Sequence, residues 1–341
     1  MMKRSLIVLI LTLCAACATP QRQAYVAAPD SLPVTPVLKP VPVTLSDGAT
    51  LEDDSFIAAD GVRLPLRSWL PEGEPTAVIV ALHGFNDYSR AFRLPGNYMR
   101  RHGVAVYAYD QRGFGHAPHF GVWAGTDNLT RDASDMVRAI MQRYPHVPVY
   151  LLGESMGGAV AVAAASQPDF PPIDGVILSA PALWGGDTMN PFYRALLWSF
   201  AHTFPGKKLT GEDLHVLASD NIAMLRALGG DPYFIKATRV DAIYGLVHLM
   251  DVAYANIGKV RAPILLLYGS HDQVIPPQPI INSLRHAPDG TKAAYYPLGY
   301  HMLLRDLHGD VPVRDILAWI DNPYAPLPSG YDRRAQRMLL K

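Results

Sequence analysis

Val149-Tyr150-Leu151-Leu152-Gly153-Glu154-Ser155-Met156-Gly157-Gly158 runs from a short apolar stretch, through a serine bracketed by glycines, into the small-residue stretch Met156–Ser166. Val149–Leu152 reads as a buried strand and Met156–Ser166 as a helix, so the pattern G-x-S-x-G falls on a strand-to-helix turn. So tight a turn places the serine in a strained backbone conformation. Glycines two residues to either side let the neighbouring backbone pass without Cβ clashes. The Ser155 hydroxyl then projects from the strand end, at the start of a helix whose N–H groups favour developing negative charge. Ser155 is a candidate nucleophile.

Working outward, Ala77–Leu82 (AVIVAL), Val104–Tyr109 (VAVYAY), Gly175–Leu178, Ile264–Tyr268 (ILLLY) and Lys292–Tyr296 read as strands. Helical spacing is found between them, at Tyr88–His102, Leu129–Tyr144, Pro277–Arg285 and Val313–Ile320. Uniformly apolar strands separated by helices predict an α/β fold, with a mainly parallel central sheet covered by helices on both faces. Ser55–Ala58 and Arg63–Trp69, joined through Asp60-Gly61, predict an antiparallel hairpin on the sheet edge. From 182 to 258 the alternation breaks. Pro191–Phe204 and Arg239–Ile257 look helical there, which predicts a helical cap inserted before the last two strands.

The 341 residues include 30 Lys plus Arg against 30 Asp plus Glu, a formal net charge of zero. No basic surplus is available to neutralise phosphates, which argues against nucleic acid as a partner. The two cysteines, Cys14 and Cys17, both sit at the extreme N-terminus, leaving the body with no disulfide or thiolate metal site. Lys3 and Arg4 precede the apolar Leu6–Leu13, and small residues follow before Cys17, the build of a secretory signal too short to span a bilayer. The segment resembles a bacterial lipoprotein signal, with Cys14 where that pattern usually has Leu. This implies a signal peptide over 1–16, lipidation at Cys17 and an envelope location on the outer membrane, with cleavage after Ala18 and a soluble periplasmic or secreted protein as the alternative. Residues 17–50, rich in proline, read as a tether, 51–325 as the catalytic domain and 326–341 as a tail.

A serine hydroxyl is a feeble nucleophile until a base removes its proton, and histidine is the usual base at neutral pH. His301 lies just past the last strand, in Leu298-Gly299-Tyr300-His301, and Asp272 ends the loop after the preceding strand. With Ser155 they give the order Ser…Asp…His of the α/β-hydrolase arrangement. His271 and Asp306 are the nearest understudies. His83-Gly84 follows AVIVAL, and in this fold the next residue offers a backbone N–H to an oxyanion. Phe85 and Met156 are therefore the expected donors.

His83-Gly84-Phe85, Tyr109-Asp110-Gln111-Arg112-Gly113-Phe114-Gly115-His116, Gly153 to Gly158, Asp272 and His301 together resemble the monoacylglycerol lipase/lysophospholipase branch of the α/β-hydrolase superfamily, a group also described as serine aminopeptidase-like. The resemblance spans about Ser55 to Ile320. It implies a serine ester hydrolase that needs no metal and no organic cofactor, with an acyl ester or lipid as substrate. By the same resemblance Ser155 is the nucleophile, Asp272 the acid, His301 the base, and Asp110 and Arg112 parts of a structural turn. The cap is the least matched part. Its large apolar residues, among them Trp184, Phe192, Tyr193, Trp198 and Tyr244, suggest an acyl-chain tunnel, or simply cap packing. Short-chain esterase, acyltransferase, aminopeptidase and non-catalytic binding lipoprotein are the competing readings.

Overall fold

Alternate side chains of Ala77–Leu82 enter two different cores. Val78, Val80 and Leu82 pack with Leu129, Met136 and Val160, whereas Ala77, Ile79 and Ala81 pack with Phe92, Met99 and Trp319. Successive strand residues point to opposite faces, so a strand without polar alternation must be covered on both. The computed structural model of the chain, which describes residues 42–184, 190–211 and 216–339, shows this for Ala77–Leu82, Val104–Tyr109, Val149–Glu154, Gly175–Ser179 and Ile264–Gly269, each buried at every residue. The expected signal segment, Cys17 and the expected tether up to residue 41 lie outside the described residues.

The strands are β1 (Val43–Thr44), β2 (Thr50–Leu51), β3 (Ser55–Ile57), β4 (Arg63–Trp69), β5 (Ala77–Leu82), β6 (Val104–Tyr109), β7 (Val149–Glu154), β8 (Gly175–Ser179), β9 (Lys208–Thr210), β10 (Ala237–Arg239), β11 (Ile264–Gly269) and β12 (Lys292–Tyr296). Ten of them form one sheet in the order β1-β2-β3-β4-β6-β5-β7-β8-β11-β12. From β6 to β12 the neighbours are parallel, and β3 and β4 form the expected antiparallel hairpin, with β4 joining β6 at the edge. The helices are α1 (Arg93–Arg100), α2 (Thr126–Arg143), α3 (Met156–Ala165), α4 (Pro191–Thr203), α5 (Ile222–Gly230), α6 (Val240–Asn256), α7 (Pro277–His286), α8 (Asp310–Asp321) and α9 (Tyr331–Leu339).

Three local differences have physical causes. The helix expected over Tyr88–His102 is split into a short 3-10 turn, Ser89–Phe92, and α1. Pro95 lacks an N–H and is tolerated only in the first turn, so the α-helix begins just before it. Within the cap, α5 adds a helix to the two expected there; none of its residues is buried, and its apolar side chains give no core-facing stripe. The cap also holds a two-stranded antiparallel ribbon, β9 with β10, whose first strand is fully exposed. Beyond α8, Tyr331 of α9 meets Tyr296 of β12 edge-on at 5.4 Å, and Ser329 N–H donates to Asp315 at 3.0 Å.

Parallel strands put their carboxyl ends on one edge, and the loops that follow β5, β7, β11 and β12 all emerge there. Register fixes how close they come. Leu82 is paired with Gly153, Glu154 with Ser179, and Gly269 with Tyr296. The turn after β6 is a scaffold of buried polar bonds. Arg112 donates to Asp132 at 2.6 and 2.8 Å and to Asp60 at 2.6 and 2.8 Å, tying the β3–β4 turn to α2. Asp110 accepts from the Ser89 and His116 N–H groups at 2.9 Å. Among the described residues no helix is long and apolar enough to cross a membrane, and no group of three or more His, Cys, Asp or Glu side chains is placed to hold a metal ion.

Candidate active site

The elbow after β7 is built by backbone crowding. Ser155 has φ 54° and ψ −116°, a left-handed conformation that costs a non-glycine residue about 1–3 kcal/mol. Surrounding bonds over-determine it: Ser155 N–H donates to Ser179 O at 3.0 Å, and Ser155 O accepts from Gly158 at 2.9 Å and Ala182 at 2.9 Å. Gly157 is required here, since a Cβ on it would lie 2.0 Å from Leu82 O.

His301 and Asp272 reach this serine from the last two strand ends. His301 Nε2 is 2.9 Å from Ser155 Oγ, and His301 Nδ1 is 2.9 Å from Asp272 Oδ2. The Asp272 side chain is fully buried, and its Oδ1 accepts the N–H groups of Val274 at 2.8 Å and Ile275 at 2.9 Å. These two donors fix the carboxylate's rotation, so that only Oδ2 faces the imidazole. The three side chains, drawn from positions 155, 272 and 301, thus form one continuous hydrogen-bonded line. Such a line can carry a proton away from a hydroxyl and stabilise the imidazolium that results.

The loop after β5 lies against the same serine, because a Cβ on Gly84 would come within 3.3 Å of Ser155 Cβ. Neither the Phe85 nor the Met156 N–H has a hydrogen-bond partner among the described residues. His83 shapes this loop from within. Its Nε2 accepts the Gln111 N–H at 2.9 Å, so Nδ1 carries the proton and donates to Gly84 O at 2.9 Å. Burial drives the His83 pKa below its ordinary value, which keeps the ring neutral.

The understudies have other partners. The His271 ring lies tilted against Tyr300 with centroids 5.1 Å apart, and Asp306 accepts from Ser219 Oγ at 2.6 Å and Tyr300 N–H at 2.7 Å. Burial pushes the Asp306 carboxyl up to about 6 in spite of those two donors.

The cap side chains divide. Trp184 packs partly buried against the main core, and Tyr244 meets His202 edge-on at 5.4 Å. Phe192, Tyr193 and Trp198 on α4 are 69%, 67% and 41% exposed.

Two features carry no sequence motif. One is the segment 217–221, which binds the loops of the acid and the histidine together: Leu217 N–H donates to Gln273 at 3.0 Å, Met302 N–H to Ala218 O at 2.8 Å, and Asn221 Nδ2 to Arg305 O at 3.0 Å. The other is Arg305, buried between Asp87 at 2.7 Å and Glu154 at 3.1 Å. Burial alone would lower its pKa, but the two carboxylates outweigh that and hold it above its ordinary value. Both depend on long-range pairing, with only the charge types of Arg305, Asp87 and Glu154 available as a signal beforehand. A cleft of about 320 Å³ opens beside Arg305, between α5 and the 87–94 segment; Ser155 and His301 do not line it.

The chain resembles known proteins over most of its length. Residues 73–308 match the family model described as serine aminopeptidase, S33. A monoacylglycerol lipase of Mycolicibacterium smegmatis is 25% identical over 282 residues, covering 80% of this chain and 98% of that protein. A monoglyceride lipase of Rattus norvegicus is 28% identical over 258 residues, covering 74% of this chain and 84% of that protein. Among solved structures, a soluble variant of monoglyceride lipase from Saccharomyces cerevisiae in complex with a substrate analog shares the fold, with a TM-score of 0.66, 22% identity and coverage of 76% of this chain and 92% of that one. With the family model matched over well more than half of its length, the chain belongs to the serine aminopeptidase, S33, family and is a hydrolase of the α/β-hydrolase fold.

Proposed function

We propose that the protein hydrolyses carboxylic esters, chiefly monoacylglycerol- or lysophospholipid-like acyl esters, through an acyl-enzyme on Ser155. One observation carries this reading: Ser155 Oγ, His301 and Asp272 stand in hydrogen-bond sequence at 2.9 and 2.9 Å. Ser155 Oγ attacks the ester carbonyl carbon while His301 Nε2 takes its proton. The carbonyl oxygen, now an oxyanion, is received by the N–H groups of Phe85 and Met156. Collapse breaks the C–O bond to the alcohol, which leaves with the proton from His301. Water then adds to the acyl carbon with His301 again as base, and the carboxylic acid departs from Ser155.

The two sequence relatives named above are lipases of monoglycerides, which supports an acyl ester as substrate. The family description raises aminopeptidase activity as a second reading, which needs a carboxylate to meet the substrate's free ammonium. The described acidic groups around the site are already engaged. Asp87 and Glu154 bind Arg305, Asp231 accepts from Tyr88 at 2.7 Å and Arg90 at 2.8 Å, and Asp110 is held by Ser89 and His116. Ester hydrolysis asks for no such group and is favoured.

A panel of p-nitrophenyl acyl esters, monoacylglycerols, lysophospholipids and aminoacyl p-nitroanilides tests the reading. Release of acid from the long-chain monoesters, with the anilides left intact, is the expected result. Each methylene buried in an apolar site contributes roughly 0.8 kcal/mol, so kcat/KM should climb steeply with chain length. Cleavage of the anilides in preference to the esters would overturn it, and a preference for acetyl or butyryl esters would restrict it to short-chain esterase activity.

A further inference from the structure

Arg305 sits four residues past His301 and is only 5% exposed. Its Nη1 donates to Asp87 Oδ2 at 2.7 Å, and its Nη2 to Glu154 Oε1 at 3.1 Å. Each partner belongs to a different part of the candidate site. Glu154 is the last residue of β7 and the immediate neighbour of Ser155. Asp87 closes the turn that contains Phe85, with its own N–H on Gly84 O at 3.3 Å and its Oδ1 accepting from Tyr88 N–H at 2.9 Å. The Arg305 main chain is fixed as well, its N–H donating to Met302 O at 2.8 Å and its carbonyl accepting from Asn221 Nδ2 at 3.0 Å.

One guanidinium therefore joins three loops that have no covalent reason to keep their spacing: the one bearing Phe85, the one bearing Ser155 and the one bearing His301. His83 already fixes the Phe85 turn at its first end, and Asp87 is the only charged grip at its other end among the described residues. We propose that Arg305 is a positioning residue for acyl transfer, holding the Phe85 turn in register with the nucleophile elbow and the histidine loop. The inference rests on the proposed roles of Ser155, His301 and the Phe85 N–H. Without Arg305, Asp87 and Glu154 are two buried carboxylates with no counter-charge, and mutual repulsion together with desolvation drives their loops apart. A displacement of about 1 Å at a preorganised site costs roughly 100-fold in rate.

Arg305→Met alone leaves both carboxylates buried and unpaired, and it can fail to fold for that reason. The informative variant is the triple change Arg305→Met, Asp87→Asn, Glu154→Met, which removes all three charges together, so that no buried ion is left without its counter-charge, while the asparagine at position 87 can still accept the Tyr88 N–H. The substrate is p-nitrophenyl butyrate, the second readout is the rate at which a fluorophosphonate labels Ser155, and thermal melting monitors the fold. The triple variant should fold and melt above Arg305→Met, yet lose about 10- to 100-fold in kcat and in labelling rate with KM within a few-fold. Arg305→Lys, which keeps the charge but not the two-pronged geometry, should recover part of that loss. A triple variant with wild-type kcat and labelling rate would reduce Arg305 to a stabilising role and overturn the proposal. If wild-type protein leaves the ester intact, the ester reading falls by itself, and the labelling rates still decide the role of Arg305.

Discussion

Ser155→Ala should lower turnover of a p-nitrophenyl acyl ester by at least about 10^4-fold, roughly 5 kcal/mol of transition-state stabilisation, while leaving the protein folded. The loss is large because no other group can form the acyl bond at that point in space. Removing the hydroxyl leaves only the backbone donors and substrate binding, which sustain a residual rate above that in water. The fold should be spared because the bonds that hold the elbow are made by the Ser155 backbone, to Ser179 O, Gly158 N–H and Ala182 N–H, and alanine keeps them all. Melting temperature and ester hydrolysis measured on the same preparation separate the two effects. Loss of both together would mean that the elbow had collapsed. Retention of activity would mean that the chemistry happens elsewhere.

Asp272→Asn should cost about 10^4-fold in kcat at neutral pH with little change in overall structure. Its effect follows from which atoms face which. Oδ1 of Asp272 accepts two backbone N–H groups, from Val274 at 2.8 Å and Ile275 at 2.9 Å. An asparagine can keep those two bonds only by placing its oxygen there, which turns the NH2 group toward His301 Nδ1. That nitrogen must then accept a hydrogen bond, and the ring proton moves to Nε2. Nε2 faces Ser155 Oγ at 2.9 Å, and in this tautomer it cannot take the serine proton. The substitution is nearly isosteric, so a steady-state assay beside a melting curve is sufficient. A loss below about 10-fold would show that Asp272 does not set the tautomer. Loss of Nδ1–H character in the imidazole nitrogen NMR signals of His301 would report the switch directly.

Much of the fold was readable because the strands at the centre of the sheet must be apolar on both sides. AVIVAL, VAVYAY and ILLLY have no second way of being buried, and the G-x-S-x-G pattern locates the one strand end that matters most. Ser155, Asp272 and His301 could be singled out because each directly follows a recognisable strand. Of the three cap helices, α4 and α6 can be read from the sequence and α5 cannot. α6 buries Val240, Ala242, Leu249, Met250 and Ala253 and shows its period, whereas α5 buries nothing and shows none. For Phe192 and Tyr193 of α4, 69% and 67% exposed, hydrophobicity alone does not say which face of the helix they occupy. Arg305 is illegible in the sequence for a different cause. Its meaning lies in Asp87, 218 positions earlier, and in Glu154, 151 positions earlier, and only the parallel sheet brings those ends together.

The most direct test is to mix the protein with a slowly turned-over acyl ester, quench at short times, and map the mass increment by peptide mass spectrometry. Transfer of the acyl group to the peptide containing Ser155, in an amount that rises and decays with turnover and is absent from Ser155→Ala, is the expected result. Turnover with no adduct at all, or an adduct on a different side chain, would contradict a covalent mechanism at Ser155.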